Sequence, residues 1–486
     1  GSNEWITGDN NFSVCLAKGA IKALWTGNLC ATCFIGCGAG LTGLPGFSPD
    51  SQENLYAGTG AGAASDADTC YNIALGKGAG AALNEGDYNI FLGCYAGKGV
   101  TSGGQNISIG LAAGCCRQSG INNIALGYEA LLGDTTTPAN NSGSTNIGIG
   151  LYAGYKLTTG EVNIIIGKEA GYNITSGGCN TIVGCKSGYG ISSGANNTIF
   201  GKSAGRCLTT TNYNALFGVS AGIRMRGAYN VALGANAMEG SSTASNNTGG
   251  CNIAIGKEAG SELTSGNSNI LIGCGSGKIA TTGCYNMILG HEAGRRMTTG
   301  HTNIFLGYYA GEGASSSGVT GHNNIALGNK ALSEKLTTAT YNIALGVSAG
   351  LCIDTGSSNV NIGYHAGCAN TDALCNIAIG NAAGSMNGTG DHNVYLGTDA
   401  GKSDTTSNGT GNTASKNVAI GYQAGYVLTT GETNVLLGKS SGKDLTTGGG
   451  NVFLGPDAGK SATTQSNNVF IGDKAGQYRN GGGRNI

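Results

Sequence analysis

The chain has 486 residues, with 27 acidic and 26 basic side chains, a net charge of −1 and only 11% charged residues. That balance gives no electrostatic footprint for nucleic acid or an anionic membrane surface, and no apolar run reaches the roughly 18 residues a membrane-spanning helix needs. Glycine at 92 positions argues against helix, because each one there costs about 0.8–1.0 kcal/mol relative to alanine.

Residues 1–31 are irregular and are expected to form an N-terminal cap and assembly segment. The opening GSNEWITG has neither methionine nor a signal peptide, so any secretion signal is taken as removed or as lying outside the sequence. Both tryptophans, Trp5 and Trp25, fall here, and bulky aromatics suit the covering of an open sheet edge. Degenerate repeats start at Asn11 (NFSVCLAKG) and Thr32 (TCFIGCGAG). Cys30, Cys33 and Cys37 form a Cys-x2-Cys-x3-Cys cluster, but no histidine or fourth cysteine lies close in sequence, so no metal is assigned.

From residue 32 to 486 a short repeat governs the chain. An asparagine recurs from Asn54 to Asn485, followed four residues later by glycine at every place but the last, and 17 of the 24 intervals are 17 residues long. With the asparagine as position 1, NIIIGKEAGYNITSGGC from Asn163 shows the whole unit. Positions 2 and 4 are almost always Ile, Val or Leu, position 3 varies, and glycine at position 5 ends a short run of strand character. Alanine at position 8 and an apolar residue at position 12 complete the pattern. A unit this short buries apolar surface only against its neighbours. The spacing predicts an all-β parallel solenoid of about 25 coils with two or three strands per coil, stacked at roughly 4.8 Å over about 120 Å. Positions 2, 4, 8 and 12 are expected inside.

The recurrent asparagine is expected to form an amide ladder, because an inward Asn without partners would cost about 1–3 kcal/mol per unsatisfied group. The ladder assignment covers Asn89, Asn106, Asn123, Asn146, Asn163, Asn180, Asn197, Asn214, Asn252, Asn269, Asn286 and Asn303.

Four long intervals, 123 to 146, 230 to 252, 303 to 324 and 393 to 417, hold insertions rich in Ser, Thr, Asn and Gly, which should loop out on one side. Three contain glycosylation sequons, at Asn140, Asn246 and Asn408. Another sequon asparagine, Asn106, is a ladder position and too buried to modify.

The 17 cysteines avoid positions 2 and 4, so they are not core filler. Cys352 and Cys368 sit at neighbouring positions of adjacent coils and form a candidate disulfide. The odd total leaves a thiol free or paired with another chain, and the abundance points to an oxidising, extracellular setting.

No catalytic constellation emerges. His291, His301, His322, His365 and His392 fall on different coils without a matching nucleophile and carboxylate, and the glycine motifs follow the solenoid period rather than opening a helix as phosphate loops do. Aspartate is too sporadic for a calcium ladder. Hydroxyl pairs at positions 13 and 14, such as Thr158-Thr159 and Thr175-Ser176, are read first as turn chemistry, with O-glycosylation or an ice-binding threonine array as sharper alternatives. The final Asn485-Ile486 starts a repeat without a cap, which leads to an expectation of head-to-tail stacking of residues 1–31 on residues 468–486 of the next subunit.

The units NIALGYEA (123–130), NIAIGKEAG (252–260) and NVAIGYQAG (417–425) resemble the head repeats of trimeric autotransporter adhesins. They resemble equally the Asn-x-x-x-Gly-x-x-Ala-Gly repeats of phage and environmental fibre proteins. The resemblance covers residues 32 to 486 and implies a β-roll in a surface fibre. It departs from the adhesins in its longer repeat, and their coiled-coil stalk and membrane anchor do not appear among these residues, so trimerisation and anchoring are not carried over as expectations. The expectation is a non-enzymatic extracellular fibre subunit that self-associates, without cofactor, nucleic-acid partner or membrane insertion. An ice-binding or glycan-carrying solenoid is the alternative.

Overall fold

A computed structural model describes residues 49–137, 140–243, 246–314, 318–403, 412–479 and 481–486. The segment 1–31 with both tryptophans, and the Cys30, Cys33 and Cys37 cluster, lie outside the described residues.

The described chain is a parallel β-solenoid. Twenty-four strands, β1 (Leu55–Ala57) to β24 (Val469–Ile471), form one sheet in which each pairs in parallel with its sequence neighbours. Every strand is three residues long, and each coil contributes one strand rather than the two or three expected. The remainder of the coil cannot extend because its backbone turns repeatedly into the left-handed region. In the coil of Asn163, Val162 (φ 56°), Gly167 (129°), Glu169 (54°) and Gly171 (52°) all do so. Inter-coil hydrogen bonds continue through these turns all the same: Gly97 N–H donates to Ala113 at 2.9 Å and Thr158 N–H to Thr175 at 3.0 Å.

The facing of the strand differs from expectation. In β7 (Ile164–Ile166) the central Ile165 is fully buried, whereas Ile164 is 39% exposed and Ile166 lies on the same outer side. Positions 2 and 4 therefore point outward, and position 3 fills the core. The asparagine decides this. Asn163 is fully buried, and strand side chains alternate, so an inward position 1 forces position 3 inward and positions 2 and 4 outward. Position 8 alanines such as Ala170 and position 12 residues such as Leu157 and Ile174 complete the interior.

Glycine at position 5 is fixed by stacking: a Cβ on Gly201 (φ +136°) would lie 2.2 Å from the Gly218 carbonyl oxygen. At position 9, a Cβ on Gly97 would meet the Phe91 ring at 2.5 Å. Leu131, Met238 and Leu332 replace that glycine only where position 3 is small in their own coil and the next, at Ala125 and Gly148, Ala232 and Ala254, and Ala326 and Ala344. A Cβ on Gly148 would sit 2.5 Å from Leu131 Cγ, so positions 3 and 9 share one volume across coils.

Candidate functional surfaces

Asparagine amides link all 24 steps from Asn54 to Asn485, with Nδ2 to the preceding Oδ1 at 2.8 to 3.4 Å. The column contains Asn89, Asn106, Asn123, Asn146, Asn163, Asn180, Asn197, Asn214, Asn252, Asn269, Asn286 and Asn303, all buried. A second Nδ2 hydrogen reaches the position-15 carbonyl of the same coil, as from Asn89 to Gly103 at 2.9 Å. The chain leaves the column at each insertion and returns to it: Asn146 still meets Asn123 at 3.1 Å.

The insertions all fall between the position-9 and position-15 stations of their coils, and three are closed by an asparagine plug. Asn141 Nδ2 donates to the carbonyls of Cys116 (2.7 Å) and Asp134 (2.8 Å), while its Oδ1 accepts from Asp134 N–H. Asn247 repeats this with Arg224 and Ser241, and Asn412 Nδ2 donates to the Met386 carbonyl. The sequon asparagines Asn140 and Asn246 precede two of these plugs and are exposed. Asn408 lies outside the described residues. The first insertion also removes the position-12 apolar side chain of its coil, and Arg117 from the coil before reaches into the core there. Arg117 is 3% exposed, donates to the carbonyls of Gly143 and Leu157, and is pushed down to about 10 by burial.

The hydroxyl pairs divide their roles. Position 13 bridges coils rather than capping its own turn: Thr158 Oγ1 donates to the Thr175 carbonyl and Thr175 to the Ser192 carbonyl, both at 3.2 Å. Position 14 faces solvent at Thr159, Ser176, Ser193 and Thr210, and an exposed hydroxyl stands there in many of the coils. A groove of about 570 Å³ opens beside the second insertion, and two ion pairs line it, Arg224 with Glu239 and Lys278 with Glu258, both at 2.6 Å.

Cys352 and Cys368 are neighbours, joined by a 2.8 Å backbone hydrogen bond, but the thiols are free and no disulfide links them. Their sulfurs diverge along the stack: Cys352 Sγ faces Glu334 at 3.8 Å and Cys368 Sγ donates to the Ser385 carbonyl at 3.2 Å. Burial raises both thiol pKa values, that of Cys368 to about 11. The histidines remain apart except His301 and His322, which stack at 5.1 Å, while His291 and His365 contact the tyrosine rings of Tyr308 and Tyr364. Among the described residues, no three His, Cys, Asp or Glu are grouped to hold a metal ion, and no helix is long and apolar enough to cross a membrane.

No protein-family model matches the chain, and no curated protein is similar to it.

Proposed function

We propose that the chain is a non-enzymatic structural subunit of an extracellular fibre or filament, self-associating and adhesive at a surface. The observation that carries this reading is the unbroken asparagine column. Each rung ties one coil to the next through buried amides, and 24 strands at roughly 4.8 Å give a stiff body about 110 Å long. Stiffness over that length suits a spacer that holds a surface at a distance. The resemblance to fibre repeats, and exposed acceptor asparagines at Asn140 and Asn246, support an extracellular place and surface glycans. Electron microscopy of the purified chain, with antibody labelling of intact source particles, is the test. Rods that join into fibres and label at the surface are expected. Dispersed rods that never assemble, with label confined to the interior, would overturn it.

The exposed position-14 column favours a second reading, an ice- or glycan-binding solenoid. It ranks behind because the position-13 hydroxyls are engaged between coils, which leaves a single file rather than a flat array. Thermal hysteresis at micromolar protein would reverse the ranking.

A further inference from the structure

We propose that the outer face of the sheet is an interface through which two copies of this chain lie side by side. Positions 2 and 4 of the 24 strands supply 2 × 24 = 48 outward side chains, and all are apolar except Thr181 and Thr198. They are exposed or half-buried: Ile109 is 39%, Met287 40% and Leu233 47% exposed, and most of the others are half-buried. Burial in the core does not account for this selection, because these side chains lie outside it while position 3, inside it, varies from glycine to tyrosine.

The stripe is about 110 Å long and about 10 Å wide, on the order of 1,100 Å² per copy. Contiguous apolar patches on monomers are usually a few hundred Å², whereas a stable interface takes roughly 800 Å² from each partner. No charged side chain interrupts it. In sequence the insertions all lie between positions 9 and 15 of their coils, outside the strand segment of positions 1 to 6. The occupant is a second copy because its stripe has the same length and the same strand repeat, so side chains can interleave from end to end. A two-fold axis then covers both faces with one self-complementary contact.

The inference stands apart from the fibre reading, since paired solenoids that form no fibre would keep the one and remove the other. The full chain, studied by analytical ultracentrifugation at micromolar concentration, is expected to have twice the chain mass. The variant I164K/I253K/I304K/V394K places four charges at least three coils apart, more than a Debye length, so they do not repel one another within a chain. It is expected to keep the wild-type β-sheet circular dichroism and fall to a single-chain mass, because burying unpaired ammonium groups is prohibitive. A single-chain mass for the unaltered protein, alone or with lipid vesicles bound, overturns the interface. Three chains overturn its two-fold form. A quadruple variant that still pairs places the contact elsewhere.

Discussion

Asn163 gives Asn146 Oδ1 two hydrogen bonds, one from Nδ2 at 2.9 Å and one from the backbone N–H at 3.0 Å. Its Nδ2 also reaches the Gly177 carbonyl, and its own Oδ1 accepts from both donors of Asn180. Asn163→Ala would therefore leave Gly177 O and two Asn180 donors unsatisfied in a dry site, at about 1–3 kcal/mol each. The expected loss is about 3 kcal/mol or more by chemical denaturation. A change below about 1 kcal/mol would show that the amide column does not hold the coils.

Two glycines with positive φ should behave differently on substitution. Gly201→Ala drives a Cβ to 2.2 Å from the Gly218 carbonyl oxygen, and backbone stacked on both sides has no room to yield. Gly60, at φ +72°, has nothing within 4 Å of the built Cβ, and its column already carries Ala112 and Ala382 in the left-handed region. Gly60→Ala should cost about 1 kcal/mol of backbone strain, and Gly201→Ala roughly 3 kcal/mol or more. Equal melting temperatures for the two variants would contradict the stacking account.

The period made the solenoid legible, because only stacking lets a 17-residue unit bury its apolar side. The facing was harder to read because an alternating strand has two phases. The recurrent apolar residues at positions 2 and 4 invited the wrong one, and an inward Asn163 selects the other. The strand count went astray on left-handed backbone, for which Asn122, Asn196, Asn323 and Asn467 in the position before the ladder asparagine were an overlooked sign, since Asn tolerates positive φ. Val162 and Thr145 in the same place carry no such sign. The asparagine plugs hid in loops whose composition is uniformly polar, and the inward reach of Arg117 depends on an insertion one coil away.

One part of the core is polar without compensation. Asn361 takes position 3 of β18 (Val360–Ile362), is fully buried, and has no partner for Oδ1 or Nδ2, while Asn370 Oδ1 beside it is also unpaired. The apolar interior divides at this coil, one cluster ending at Ile353 and the next beginning at Ala366. Asn361→Ala would extend the stack of Ala344 and Ala378 and remove two unsatisfied groups. It should raise stability by roughly 1 kcal/mol in denaturant titration. A loss instead would mean that an internal water partners the amide.

Position 16 contributes a side-chain acceptor to the preceding coil, and at two coils that acceptor is a histidine ring nitrogen. His301 N–H donates to His322 Nδ1 and Cys284 N–H to His301 Nδ1, both at 2.9 Å, so each ring must leave Nδ1 unprotonated. Burial, and then the neighbouring His301, hold His322 below its ordinary value of 6.5. The folded chain thus favours the neutral ring, and between the two values the unfolded chain binds the proton more readily. The stabilisation is complete above pH 6.5 and is lost as pH falls through that value toward the lower folded one. Hydrogen-exchange protection of the His301 amide, corrected for intrinsic rates, should fall between pH 7.5 and 5. His322→Asn supplies a non-titrating acceptor, as Asn212 and Asn267 do for Ala195 and Gly250 at 2.7 and 2.8 Å. That variant should keep the protection and lose its pH dependence. Equal pH dependence in both proteins would assign the acid sensitivity to another group.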